Sequence, residues 1–161
     1  MNLNAKNRLQ WAGLAIASAM LFVPAAAQGQ EKHIQKSELP AAVQKTAESL
    51  SQGATVRGYT KEIEDGKTEY EVEMTVNGHA RDVSISPSGE VLEVEDTVEI
   101  GALPASVREA LQKKAGAGKV RRVESITKHG KIVAYEAHIV NGAKRSEAQV
   151  GPNGEKLDHE E

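Results

Sequence analysis

Glutamate stands at every second position through Glu69-Tyr70-Glu71-Val72-Glu73. In an extended chain, alternate side chains leave the same face about 7 Å apart. Two carboxylates at that separation are the equipment of a glycosidase, one serving as acid and the other as base or nucleophile. Such an enzyme also wants an aromatic surface for the sugar. Beyond the apolar start of the chain the only aromatic residues are Tyr59, Tyr70 and Tyr135. A row of acids without that platform reads instead as the solvated face of a sheet, available to a partner. Glu93 and Glu95 extend the row, and Glu136 and His138 occupy the same kind of position later in the chain.

Other groups invite chemistry and do not support it. The five histidines, His33, His79, His129, His138 and His159, show no helical i, i+4 pairing, and the chain has no cysteine to join them. No metal and no cofactor is expected. The acidic end, Asp158 to Glu161, lacks the spacing of a calcium loop. Ser125-Ile126-Thr127-Lys128 spells Ser-x-x-Lys, the nucleophile motif of penicillin-recognising enzymes. Those enzymes place it at a helix start; here it falls in a predicted strand. Phosphate and dinucleotide loops are absent from the sequence. Lys113, Lys114, Lys119, Arg121 and Arg122 cluster where a second helix should end, where cations suit the dipole. Stacking platforms for nucleic acid are missing. The protein is expected not to be an enzyme and not to bind nucleic acid.

The compartment follows from the first residues. Lys6 and Arg8 precede an apolar run, Trp11 to Val23, and then Pro24-Ala25-Ala26-Ala27. That order predicts a signal peptide over residues 1–27 and a periplasmic or secreted protein. The apolar run is shorter than the ~20 residues of a span, so no membrane segment is expected after cleavage. Residues 28–100 carry 7 Lys and Arg against 15 Asp and Glu, whereas residues 101–161 carry 11 against 8. An acidic first half and a basic second half suit charge steering, or contact between unlike halves.

The elements that must position these groups are legible as patterns. Glu69 to Val76 alternates like a half-buried strand, with Tyr70, Val72, Met74 and Val76 inward. Asn77-Gly78 predicts a type I′ hairpin turn. Arg81 to Ser86 resumes the alternation, Pro87-Ser88-Gly89 turns the chain, and Leu92 and Val94 continue inward. Ahead of this, Leu39, Val43, Ala47 and Leu50 form the apolar stripe of a helix capped by Ser37 and ended by Gly53. The order then recurs: Leu103-Pro104-x-x-Val107 repeats Leu39-Pro40-x-x-Val43, and Asn141-Gly142 and Pro152-Asn153-Gly154 repeat the two turns. The expected fold class is α+β. It comprises two tandem repeats, 37–100 and 101–161, each a helix on an antiparallel sheet of about four strands, after a disordered linker at 28–36.

Leu-Pro-x-x-Val on a helix, a Gly-Lys turn, Tyr70-Glu71, Asn77-Gly78, and Pro87-x-Gly89 with Leu92 behind it together resemble the PepSY family. In tandem the pattern is similar to the PepSY-like, beta-lactamase-inhibitor-protein-like (BLIP-like) proteins of the bacterial envelope. The resemblance spans about residues 37 to 158. It implies a helix-on-sheet fold and a non-catalytic module that binds and restrains a peptidase or other envelope enzyme through an open sheet face. A small-molecule or ion-binding envelope sensor is the alternative. The second half departs from the pattern, since Tyr135 is shifted by one place and Glu147 and Gln149 dilute its third strand.

Overall fold

The computed structural model describes residues 31–64 and 66–161. The leader predicted over 1–27 lies outside them, as does Asp65 of the turn expected at Asp65-Gly66. The strands are β1 (Lys32–His33), β2 (Thr55–Glu64), β3 (Lys67–Val76), β4 (His79–Ile85), β5 (Val91–Val98), β6 (Lys119–Lys128), β7 (Lys131–Asn141) and β8 (Lys144–Val150). The helices are α1 (Ala41–Leu50) and α2 (Ala105–Ala115), each preceded by a 3-10 turn, Lys36–Glu38 and Ile100–Ala102.

All eight strands form one antiparallel sheet in chain order. This overturns the expected pair of helix-on-sheet repeats. The cause is local. Glu95 to Gly101 reads as a connection, but Glu95 to Val98 stay in β5. They pair with β6 from Glu93↔Lys128 to Val98↔Val123, so no sheet edge separates the halves. The second half also has three strands rather than four, because Leu157 lies in no strand. At the other end β1 pairs with β2 through Lys32↔Lys61, inside the stretch expected to be a disordered linker.

Both helices lie on one face of the sheet. Val43 and Ala47 of α1 pack with Tyr70, Val72, Met74, Val83 and Ile85. Val107 and Leu111 of α2 pack with Val123, Ala137, Ile139 and Val150. β5 serves both clusters: Val91 and Val94 adjoin the first and Val98 the second. A bulge between Ser84 and Ile85 brings Val91 inward, the place expected of Leu92. Each helix starts directly after a proline, Pro40 and Pro104, whose carbonyl accepts the first helical hydrogen bond. Ser37, the expected cap, sits in the 3-10 turn ahead of α1.

Candidate functional site: the uncovered face of the sheet

Residues that alternate with the core must project from the face without helices. Register groups them into rows across the strands. One row runs Glu71, Ser84, Glu93, Lys128 from β3 to β6. The next runs Glu73, Asp82, Glu95, Ile126, Ala134 from β3 to β7. A third runs Thr97, Glu124, Glu136, Gln149 from β5 to β8, and beside it Arg122, His138 and Glu147 are opposed. Glu69 stands opposite Glu62 near one end of β3. The acids Glu69, Glu71, Glu73, Glu93, Glu95 and Glu136, with His138, thus share the face that their alternation predicts.

The face is not the flat, wet surface expected for such a row. Glu124 is 2% exposed, Thr60 0% and Gln149 6%, although neither helix lies over them. Ile126 and Ala134 are buried there too, outside both apolar clusters. Burial without a covering helix means that neighbouring side chains on this face shield one another. Residues after β8 add cover, since the Glu161 N–H donates to Gln149 Oε1 (2.8 Å) and Glu161 Oε2 lies 3.5 Å from Lys128 Nζ.

Glu71, Asp82, Glu95 and Glu136 are consequently held toward protonation. Burial, reinforced by Glu62, Asp82 and Glu73, pushes the Glu71 carboxyl up to about 8. Burial and the neighbouring Glu93 push Glu95 up to about 9. Burial also raises Asp82 and Glu136, each only partly opposed, by Arg57 and by the Gln149 amide respectively. The expectation that Glu71 and Glu136 are freely exposed is therefore corrected: both are half-buried. Cations stand at the margins. Arg57 reaches Asp82 (2.5 Å) and Glu73 (3.7 Å), and Lys128 reaches Glu93 (3.2 Å).

At the β6–β7–β8 end, Glu124, Glu136 and His138 bring one ligand atom each to within 4.8 Å of one another. The His138 Nε2 atom lies 2.5 Å from Glu124 Oε2 and 3.5 Å from Glu136 Oε1. Its Nδ1 lies 3.1 Å from Glu147 Oε1. Arg122 Nη2 approaches His138 Nε2 (3.0 Å) and Glu124 Oε2 (3.2 Å). Sequence reasoning found Glu136 and His138 here but missed Glu124, Arg122, Gln149 and, further along the face, Asp82. The signal existed: Lys128, Ile126, Glu124 and Arg122 alternate at period two back along β6.

Two other candidates dissolve. Ser125 pairs with Asp96 on the helix side, while Lys128 faces Glu93 on the other, so the Ser-x-x-Lys spacing brings no nucleophile to a base. The tyrosines lie on the helix side as well: Tyr59 and Tyr70 join the first apolar cluster and Tyr135 the second. They offer the acids no sugar platform. Among the described residues no helix is long and apolar enough to cross a membrane.

One antiparallel sheet with two helices on one face is a BLIP-like fold. Among solved structures, a BLIP-like protein from Bacteroides fragilis shares it with a TM-score of 0.52 and 19% identity, over 72% of this chain and 81% of that one. A protein from Bacteroides eggerthii, described as periplasmic, matches with a TM-score of 0.57 and 17% identity, over 73% and 84% of the two chains. A DUF2874 family protein from Bacteroides ovatus matches with a TM-score of 0.56 and 16% identity, over 74% and 85%. At these identities the likeness is one of fold. No family model matches the chain, and no curated protein matches its sequence.

Proposed function

We propose that this protein is an exported, non-catalytic binding module, PepSY-like in type, that restrains or modulates an enzyme of the bacterial envelope. The acidic half of its uncovered face would receive a basic surface of that enzyme. One observation carries the proposal: Glu71, Glu73, Asp82, Glu93 and Glu95 are gathered side by side in β3 to β5 and half-buried. Like charges opposed on a sheet destabilise it, so folding alone gives no reason to collect them. Departures of this kind from local consistency concentrate at functional sites. Glu71 and Glu95 answer the crowding by holding protons near neutral pH, and a cationic partner would draw those protons off and engage the carboxylates. A periplasmic setting agrees with the predicted leader and with the description of the Bacteroides eggerthii structure that shares the fold.

The test begins with cross-linking in the periplasm to identify the partner, followed by its purification. Association should slow roughly tenfold or more between about 0.01 M and 1 M salt, because the screening length falls from about 30 Å to about 3 Å. Glu71→Lys with Glu73→Lys should slow it similarly at low salt while the circular dichroism spectrum is kept. The partner's enzymatic activity should change when the wild-type protein is added. A rate indifferent to salt and to the double reversal removes the acidic face as the docking surface. An unchanged activity removes the modulating role.

A further inference from the structure

We infer that Glu124, Glu136 and His138 form a binding site for a divalent first-row transition ion such as zinc, distinct from the acidic rows of β3 to β5. The donor set is one imidazole nitrogen and two carboxylate oxygens, which suits a borderline ion rather than calcium. What separates this group from a chance cluster is the disposition of the far atom of each ligand. His138 directs Nε2 inward while Nδ1 lies against the Glu147 carboxylate at 3.1 Å. That contact gives Nδ1 an outer partner and makes the inward Nε2 the atom placed to meet a metal. Glu136 turns Oε1 toward Nε2, while its Oε2 accepts a hydrogen bond from Gln149 Nε2 (2.9 Å). Glu124 turns Oε2 toward Nε2, while Thr97 Oγ1 stands at 3.5 Å from its Oε1. Three ligands are thus each steadied by an outer partner from a different residue, as metal-ligating His and carboxylate groups are.

The place is already one that takes a cation. Arg122 fills it, 3.0 Å from His138 Nε2 and 3.2 Å from Glu124 Oε2. Its side chain is 42% exposed, so it can leave for solvent, whereas Glu124, at 2%, cannot. Metal entry requires Arg122 to swing out and the 2.5 Å pair of His138 Nε2 and Glu124 Oε2 to open by about 1 Å, so that each reaches its bond length near 2.1 Å. Three protein ligands leave coordination positions open to water or to a ligand atom of a partner.

The decisive measurement is titration of the EDTA-stripped protein with Zn²⁺ and Co²⁺, by calorimetry and by the visible spectrum of Co²⁺. One ion per chain should bind with a Kd of about 10 µM or tighter. His138→Asn should weaken it at least about a hundredfold, and Glu147→Gln, which touches no metal, by roughly ten- to a hundredfold. Arg122→Gln should tighten binding by removing the competing cation, an effect no purely structural ion pair predicts. Glu124→Gln should also weaken binding; should it not fold, the half-buried His138→Asn decides. A Kd weaker than about 1 mM, binding of Ca²⁺ in place of Zn²⁺ and Co²⁺, or an affinity unchanged in His138→Asn would each overturn the assignment. The last outcome would point to the outlying His33 and His159.

Discussion

Glu71 and Val72 are neighbours in one strand, and the pleat sends them to opposite faces. Val72 is fully buried beneath α1. Val72→Ala should cost about 1–3 kcal/mol through lost burial and a cavity, at any pH. Glu71 behaves differently because its carboxyl titrates near 8 when folded against an ordinary 4.5. Between those values unfolding releases a proton that the folded state retains, so stability falls as pH rises. Below about 4.5 the neutral acid adds no penalty, and above about 8 the loss is complete. Glu71→Gln carries no titrating group. Its stability relative to the parent should rise steadily from pH 5 to pH 8 and then level off, as followed by urea denaturation across pH. A gap that stayed constant with pH would place Glu71 in open water. The face on which each acid lies was legible from alternation alone. Its burial was not, because shielding comes from side chains on neighbouring strands, as where Asp82 stands between Glu73 and Glu95. Glu124 could be placed on its face by alternation along β6, but its position beside Glu136 follows only from the strand pairing.

At the scale of elements, helices, strands and turns follow from local chemistry more closely than their assembly does. Asn77 and Gly78 both take positive φ, 51° and 86°, as a type I′ turn requires. The second Asn-Gly does not repeat this, for Asn141 ends β7 and only Gly142 turns left-handed. His129-Gly130 does so instead, with φ of 50° and 72°. Turn type was legible where Asn and Gly fall between strands of the right length, and misleading where a strand ran one residue further. The Pro-x-Gly turn has a role that its own residues do not reveal. Gly89, at φ +87°, lies so close to α1 that an added Cβ would sit 2.9 Å from the Ala42 carbonyl oxygen. Thr46 Oγ1 donates to the Gly89 carbonyl at 2.7 Å, fastening the helix to the turn. Gly78 has nearly the same φ, +86°, with nothing near its would-be Cβ. Gly78→Ala should therefore cost about 1–2 kcal/mol, the backbone penalty alone. Gly89→Ala should cost clearly more, with the excess measuring the contact with α1. Equal losses in thermal denaturation would show that the helix moves aside without cost.

For the whole molecule the decisive feature is that β5 belongs to both halves. A duplicated pattern in sequence invites the picture of two units, and nothing local in Glu95 to Gly101 contradicts it. The contradiction is non-local: six consecutive pairs join β5 to β6. A side-chain pair reinforces the seam on the uncovered face, Lys128 to Glu93 at 3.2 Å. Half a chain of this size would bury only about 60% of its unfolded surface and be marginal alone. Splitting the sheet would expose β5 and β6 as unpaired edges. The two apolar clusters should consequently unfold together. Leu111 lies in the second cluster and is 1% exposed, so Leu111→Ala should cost about 2–5 kcal/mol. In a single cooperative unit that loss is felt everywhere at the level of global unfolding. Amide exchange in β3 and β4, at Val72 and Val83, should therefore accelerate by the same free energy as exchange at Val123 in β6. If the β3 and β4 amides kept their protection while β6 lost it, the sheet would be continuous in geometry and divided in energy.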